Sequence, residues 1–413
     1  MKILTLNCRS FFISYQLLEW ADRSVLARGI VDRVELGDSF LTLERPDRPL
    51  QRIDTDCPDH RAAIDLILRT LTDPGQGLLA GSGELAAVGH RVVHGGETFA
   101  RSTFITDQVV EAVHEMEDLA PLHNPPNVTG IRAARELLPA VPQVAVFDTA
   151  FHQTMPEFAY IYPLPYEWYE RYGIRRYGFH GAAHCYAARR GAALLGREPR
   201  ECNLVTVHIG TGISICAVRG GASVDTSMGL TPLEGTMMGT RCGDIDPGIV
   251  PFMMQEQEFT ARDMDRILNQ KSGAAGITGT RLERPDYLAQ AAAGDERCLL
   301  AAEMEAYRLK KYLGAYAAAL GRLDALVFSA GTGAGEWLIR EKALAGMELF
   351  GIALDREKNR GVRGADREAC IGAAGGRVAV YVIPTEEEMV LAEEVAALLG
   401  TTAAAGAHLS PAA

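Results

Sequence analysis

Short apolar runs separated by polar, glycine-rich connections dominate this chain. Lys2–Leu6 and Phe11–Leu18 read as strands, with Asn7-Cys8-Arg9-Ser10 as a hairpin connection between them. The design returns at Leu204–His208, which turns through Ile209-Gly210-Thr211-Gly212 into Ile213–Arg219. A third apolar run, Ala325–Phe328, leads into the glycine-rich stretch 331–335. Further strands are expected at Ala87–Val93, Gln143–Phe147 and Val378–Ile383, and helical spacing over Asp59–Leu71 and Leu299–Leu320. Strands alternating with helices predict an α/β fold, and three strand-to-glycine-loop units suggest that the architecture is duplicated. Prolines clustered at 121–126 and 156–165 predict loops, and a domain boundary is expected near residue 150. The segment Ala403–Ala413 is small, apolar and without period, so it reads as a frayed tail.

Composition narrows the function. The chain has 413 residues, 47% hydrophobic, with 41 basic against 53 acidic side chains and a formal net charge of -12. That balance disfavours a nucleic-acid backbone or an anionic membrane surface as the main partner, though local arginines could still hold a small anion. The 42 glycines lie in short runs beside apolar segments, as ligand-cradling turns require. Eight cysteines without a CxxC pair fit free thiols in a reducing compartment and neither a disulfide framework nor a zinc site. MKILTLN is too short and too soon polar for a signal peptide, and no long apolar run follows, so a cytoplasmic protein is expected.

Several segments carry candidate chemistry. Gly89–Gly96 places Arg91 between two histidines among glycines, either a surface turn or a phosphate site exploiting the guanidinium fork. Ala120–Asn127 sets His123 in a proline-stiffened loop, a connector or a positioned side chain. Asp148 ends an apolar strand, where open α/β sheets put function; the lesser alternative is a helix or turn cap. His180 and His184 have the spacing of a zinc pair, yet no glutamate follows His180, the glycines weaken a helix, and no third ligand is evident. The stretch 225–248 lacks any period and holds Arg241 among glycines and acids, so it reads as an ordered functional loop. Thr385 and Glu388 fit a helix capping box, and the three glutamates there could also support hydrated Mg²⁺.

Together, GHRVVHGG (89–96), APLHNPPN (120–127), VFDTAFHQTMP (146–156), YGFHG (177–181), DTSMGLTPLEG (225–235), MMGTR (237–241) and GDIDPG (243–248) resemble the acetate kinase family, within the acetate and sugar kinase, Hsp70 and actin superfamily. The resemblance implies two actin-like (ribonuclease H-like) domains with an active-site cleft between them: residues 1–150 completed by a helix at about 386–400, and residues 151–385, with 401–413 as tail. It implies Mg²⁺-dependent transfer of a phosphoryl group between ATP and acetate, giving acetyl phosphate and ADP, in a cytoplasmic homodimer, with Mn²⁺ as an alternative metal. Around the phosphoryl group it places Arg91, His123, Asp148, His180 and Arg241, with Asn7 and Glu387 near the metal. Val93, Leu122, Phe179 and Pro232 would line the acyl pocket. His208, Gly210, Thr211, Gly212, Glu283, Gly331, Gly333 and Gly335 would face the nucleotide. An ionised carboxylate needs no general base to attack phosphorus, so positioning and charge neutralisation suffice.

The nucleotide side departs from the family pattern. N-x-G-S-S-S-x-K becomes Asn7-Cys8-Arg9-Ser10-Phe11-Phe12-Ile13-Ser14, G-I-G-E-N becomes Gly331-Thr332-Gly333-Ala334-Gly335, and D-x-R becomes Glu283-Arg284-Pro285. These changes predict weakened nucleotide contacts. They leave open another donor such as pyrophosphate, or a paralogue that binds acetyl phosphate without turnover.

Overall fold

The computed structural model describes residues 1–117, 119–121, 123–210, 212–330, 336–362, 368–384 and 387–407. The chain separates into two units, Met1–Ala150 with Glu386–Ala413, and Phe151–Thr385.

The first unit is built on strands β1 (Lys2–Arg9), β2 (Phe12–Glu19), β3 (Ser24–Asp32), β4 (Phe40–Arg45), β5 (Arg48–Asp54), β6 (Leu85–Val92), β7 (Thr103–Phe104) and β8 (Gln143–Phe147), in the order β5-β4-β3-β2-β1-β6-β8-β7. β1 to β3 pair antiparallel, while β1, β6 and β8 run parallel, so the C-terminal ends of these three strands share one edge of the sheet. Alternation splits the sheet's core in two. Leu4, Leu6 and Val88 join the helices His60–Thr72 and Asn124–Leu137 on one face, while Ile3, Ala87, Val144 and Val146 pack with the helix Glu387–Ala407 on the other.

The second unit contains β9 (Asn203–Ile209), β10 (Ile213–Arg219), β11 (Ala222–Thr226), β12 (Ala325–Ala330), β13 (Ala369–Cys370) and β14 (Ala379–Ile383), in the order β11-β10-β9-β12-β14-β13. β9 to β11 are antiparallel, β9, β12 and β14 are parallel, and β13 closes the edge antiparallel. This is the connectivity of β3-β2-β1-β6-β8-β7 over again. The expected duplication is therefore present in strand order and direction. Helix Gly181–Leu194 covers one face with Ala187, Ala188 and Ala192, and Glu296–Leu320 packs on β9 and β10.

Three local expectations need correction. Asn7, Cys8 and Arg9 are not a turn: they extend β1 and pair with Ser14, Ile13 and Phe12, which leaves the turn to Ser10 and Phe11. The proline-rich stretch is only partly loop, because Pro125 and Pro126 occupy the first helical positions, where a missing N–H costs nothing. The last helix continues to Ala407, past the expected end near 400. Thr385, expected as a cap, and the glycine-rich stretch 331–335 lie outside the described residues. Among the described residues no helix is long and apolar enough to cross a membrane.

Candidate active site

In the first unit, alternation gathers the charged residues. Asn7 and Arg9 share the face of Ile3, Arg91 shares that of Ala87, and Asp148 continues the parity of Val146, its N–H extending the ladder to the Val92 carbonyl at 2.9 Å. All four therefore lie at the C-terminal ends of β1, β6 and β8, on the face covered by the helix that begins with Glu387. The helix can approach there because residue 89 is glycine: a Cβ on it would stand 2.8 Å from Val395 Cγ2.

Arg91 donates from Nε to Asp148 Oδ1 at 3.0 Å and from Nη2 to Oδ2 at 2.6 Å, a bidentate pair with both side chains buried. Its third nitrogen, Nη1, faces Glu387 Oε2 at 3.7 Å. Burial works against the Arg91 charge, but Asp148 and Glu387 outweigh it and hold the guanidinium above its usual range. Arg9 stacks on Phe12, 5.2 Å from the ring centre, and is held below its usual range by burial and then by Arg91. Burial raises the Glu388 carboxyl, and Glu387 beside it adds to the effect.

Asn7 is buried, and its Oδ1 has no hydrogen-bond partner among the described residues. An orphaned amide oxygen at the end of β1, on the face covered by the helix that begins with Glu387, suits a hard cation. Among the described residues no three His, Cys, Asp or Glu side chains form a closed metal cage. Mg²⁺ does not require one, since it keeps several waters and takes one or two carboxylates plus substrate phosphates.

The loop after β6 is pinned by residues that the sequence reading passed over. Asn127 Oδ1 accepts from the Val93 N–H at 3.0 Å, and its Nδ2 donates to the Cys8 carbonyl at 2.8 Å. Asn124 accepts from the His94 N–H at 3.1 Å and returns a bond to its carbonyl at 3.0 Å, and Thr149 accepts from Gly95 at 3.1 Å. Val93 is buried and so fixed in place. His123 caps the helix that carries both asparagines. Leu122 lies outside the described residues.

In the second unit, Thr206, His208 and Ser214 share the face of Leu204, Cys216 and Val218, beneath helix Gly181–Leu194. His180 caps that helix with φ 59°, in the left-handed region, so the glycines flanking it did not prevent a helix that carries His184. His180 Nδ1 lies 2.8 Å from Ser214 Oγ, and its ring lies 4.5 Å from that of His208. Gly178 (φ +77°) has no room for a side chain: a Cβ would meet Thr226 Cγ2 at 2.3 Å and His152 Cδ2 at 2.7 Å. Phe179 is buried, and its carbonyl accepts from His152 Nε2 at 3.1 Å.

Arg241 contacts the Pro232 carbonyl at 3.4 Å and Met238 Sδ at 3.7 Å. Among the described residues no carboxylate pairs with it, and burial alone lowers its pKa. Gly212 lets it converge with His180, since a Cβ there would stand 3.0 Å from Arg241 Nη1 and 3.3 Å from His180 Cε1. Gly210 donates to the Gly212 carbonyl at 2.9 Å, which tightens this turn. His180, His208, Gly210, Gly212, Pro232 and Arg241 therefore meet around one loop. Glu283 is exposed, and its neighbour Arg284 is consumed by Glu305 and Glu336, bonding Glu305 Oε2 at 3.0 Å and Glu336 Oε2 at 3.0 Å. Thr211, Gly331, Gly333 and Gly335 lie outside the described residues.

Comparison with known proteins places this geometry. The Acetokinase family profile matches residues 2–393. An acetate kinase of Geobacter sulfurreducens is 57% identical over 402 residues, covering 97% of this chain and 96% of its own. One from Methanosarcina acetivorans is 47% identical, covering 95% and 96%. Among solved structures, Porphyromonas gingivalis acetate kinase superposes with a TM-score of 0.91 at 44% identity, covering 96% of this chain and 99% of its own. A propionate kinase from Francisella tularensis does so with a TM-score of 0.88 at 34% identity, covering 95% and 98%.

Proposed function

This chain belongs to the acetokinase family, and from that premise we propose how its residues act. The reaction is reversible phosphoryl transfer between ATP and acetate, giving acetyl phosphate and ADP; the relatives lend no support to a pyrophosphate donor or to a non-catalytic role. Acetate is ionised at neutral pH, so its oxygen attacks the γ-phosphorus without a base while the bond to the ADP oxygen breaks in line.

The observation that carries this reading is the pairing state of the two arginines. Arg91 spends two nitrogens on Asp148, which fixes its plane and leaves Nη1 as the face for the phosphoryl oxygens. Asp148 is thus a positioning residue, not a base. Arg241 is a half-buried cation without a carboxylate partner among the described residues, beside His180, and a phosphoryl group supplies its counter-charge. Asn7 and Glu387 are the groups to hold Mg²⁺, which would neutralise phosphate charge as the transferred oxygens redistribute it. Val93, Leu122, Phe179 and Pro232 are assigned to the acyl methyl, His123 to the phosphoryl group, and the turn 210–212 to the nucleotide. We assign the protein to the cytoplasm as a homodimer.

The test is an acetyl-phosphate-forming assay with ATP, GTP and pyrophosphate in parallel, with and without Mg²⁺ or Mn²⁺. ATP-dependent product that vanishes on chelation is expected; product from pyrophosphate alone, or none from any donor, would overturn the reading.

A further inference from the structure

Behind His180 a chain of hydrogen bonds runs into the core of the second unit. Ser214 Oγ, fully buried on β10, lies 2.8 Å from His180 Nδ1 and 2.7 Å from His184 Nε2. His184 Nδ1 in turn lies 2.8 Å from Thr206 Oγ1 on β9. A hydroxyl has one proton, so Ser214 can donate to only one of the two imidazoles and must accept from the other. His184 is enclosed on its remaining sides by the rings of His152 at 5.7 Å and His208 at 6.4 Å. An imidazole buried among imidazoles stays neutral and carries a single proton.

His152 shows how this part of the unit settles such choices. Its Nε2 faces a carbonyl, which only accepts, so the proton is on Nε2 and the Ser223 hydroxyl, 2.8 Å away, donates to Nδ1. The His184 chain has two consistent orders. If Thr206 donates to His184 Nδ1, His184 donates through Nε2 to Ser214, and Ser214 donates to His180 Nδ1. His180 then holds its proton on Nε2, the nitrogen directed away from Ser214. The reverse order would leave a neutral His180 unprotonated at Nε2, an acceptor that repels phosphoryl oxygens.

We propose that Ser214, oriented by His184 and Thr206, is a positioning residue that fixes His180 as the Nε2-protonated tautomer and so makes it a hydrogen-bond donor to the phosphoryl group. The proposal rests on the functional reading above, but its principal test does not. Long-range ¹H–¹⁵N correlation spectra of the histidine-labelled protein distinguish the two imidazole tautomers directly. The parent should show His180, identified by its loss in His180→Gln, protonated at Nε2 with Nδ1 as acceptor. A parent protonated at Nδ1 would overturn the proposal whatever the reaction proves to be.

In the same spectra Ser214→Ala should convert the His180 signal to a tautomer mixture, with Ser214→Thr restoring it. In the acetyl-phosphate assay Ser214→Ala should lower kcat about tenfold with KM for acetate changed less than twofold, and Ser214→Thr should recover most of the loss. An unchanged His180 signal and kcat in Ser214→Ala would refute the role. An inactive parent with the expected tautomer would instead count against the functional reading and leave the assignment of Ser214 supported.

Discussion

At the scale of single residues, the two arginines separate catalysis from stability. Replacing either by alanine should lower kcat by about 10² or more if each neutralises charge that spreads in the transition state, as proposed. Their effects on the unliganded fold should differ. Arg91→Ala strands Asp148 as a buried, unpaired carboxylate, a change that typically costs about 3–5 kcal/mol. Arg241→Ala removes a desolvated cation that has no carboxylate partner among the described residues, so its melting temperature should hold or rise. Thermal unfolding of both variants without ligand checks this, and equal destabilisation would contradict the assigned pairing. Arg91, Asp148, His180 and Arg241 stood out in the sequence as candidates because their motifs combine a charged or titratable side chain with glycine or a strand end. Asn124, Asn127 and Ser214 were not, because they act by satisfying a neighbour's donor or acceptor. A polar residue so employed looks in sequence like any cap or strand hydroxyl.

Among elements, the contact between helix Asn124–Leu137 and β1 sets where the site begins. Gly130 lies so near β1 that an added Cβ would stand 2.3 Å from Cys8 Sγ and 2.9 Å from its Cβ. Gly130→Ala should therefore destabilise the fold by about 1–3 kcal/mol through overpacking, as read from urea melts. Cys8→Ala introduced alongside should recover part of that loss, because it removes the nearer atom; strictly additive effects would show that the two positions do not touch. Strand Gln143–Phe147 was legible from its apolar run Val144–Phe147, and every residue of the strand is buried. The end of β1 was misread as a turn because Asn7 and Arg9 are polar, although Asn7 is buried, Arg9 is half-buried and both pair within the sheet. β3 to β5 went unnoticed because β5, at the sheet edge, is largely exposed and carries charges that dilute the alternation. The start of helix Asn124–Leu137 was hidden by prolines that suit a first turn as well as a loop.

For the molecule as a whole, buried imidazoles tie stability to pH. Burial pushes His90, His94 and His152 down to about 4, from an ordinary value near 6.5. The unfolded chain takes up protons at these sites from about pH 6.5 downward while the folded one does not. Their stabilising contribution is thus complete above that value and is lost as pH falls towards 4, by up to about 1.4 kcal/mol per pH unit for each imidazole. The midpoint of chemical unfolding should fall steadily from pH 7 to pH 4.5, and a flat profile would exclude neutral burial. The duplicated strand order was legible at this scale, since each unit opens on an apolar hairpin at a polar or glycine turn. The return of the chain to its first unit was legible only through family resemblance, because nothing in an apolar helix names the sheet it will cover. That return has a consequence for biosynthesis. The first sheet emerges from the ribosome early, yet Ile3, Ala87 and Val144 stay uncovered until residues 387–407 follow. The intervening unit is contiguous and can fold while the opening one waits. Since Glu387 arrives on that same last segment, the carboxylate assigned to the metal becomes available only at the step that closes the core, so a nascent chain acquires its shelter and its chemistry together.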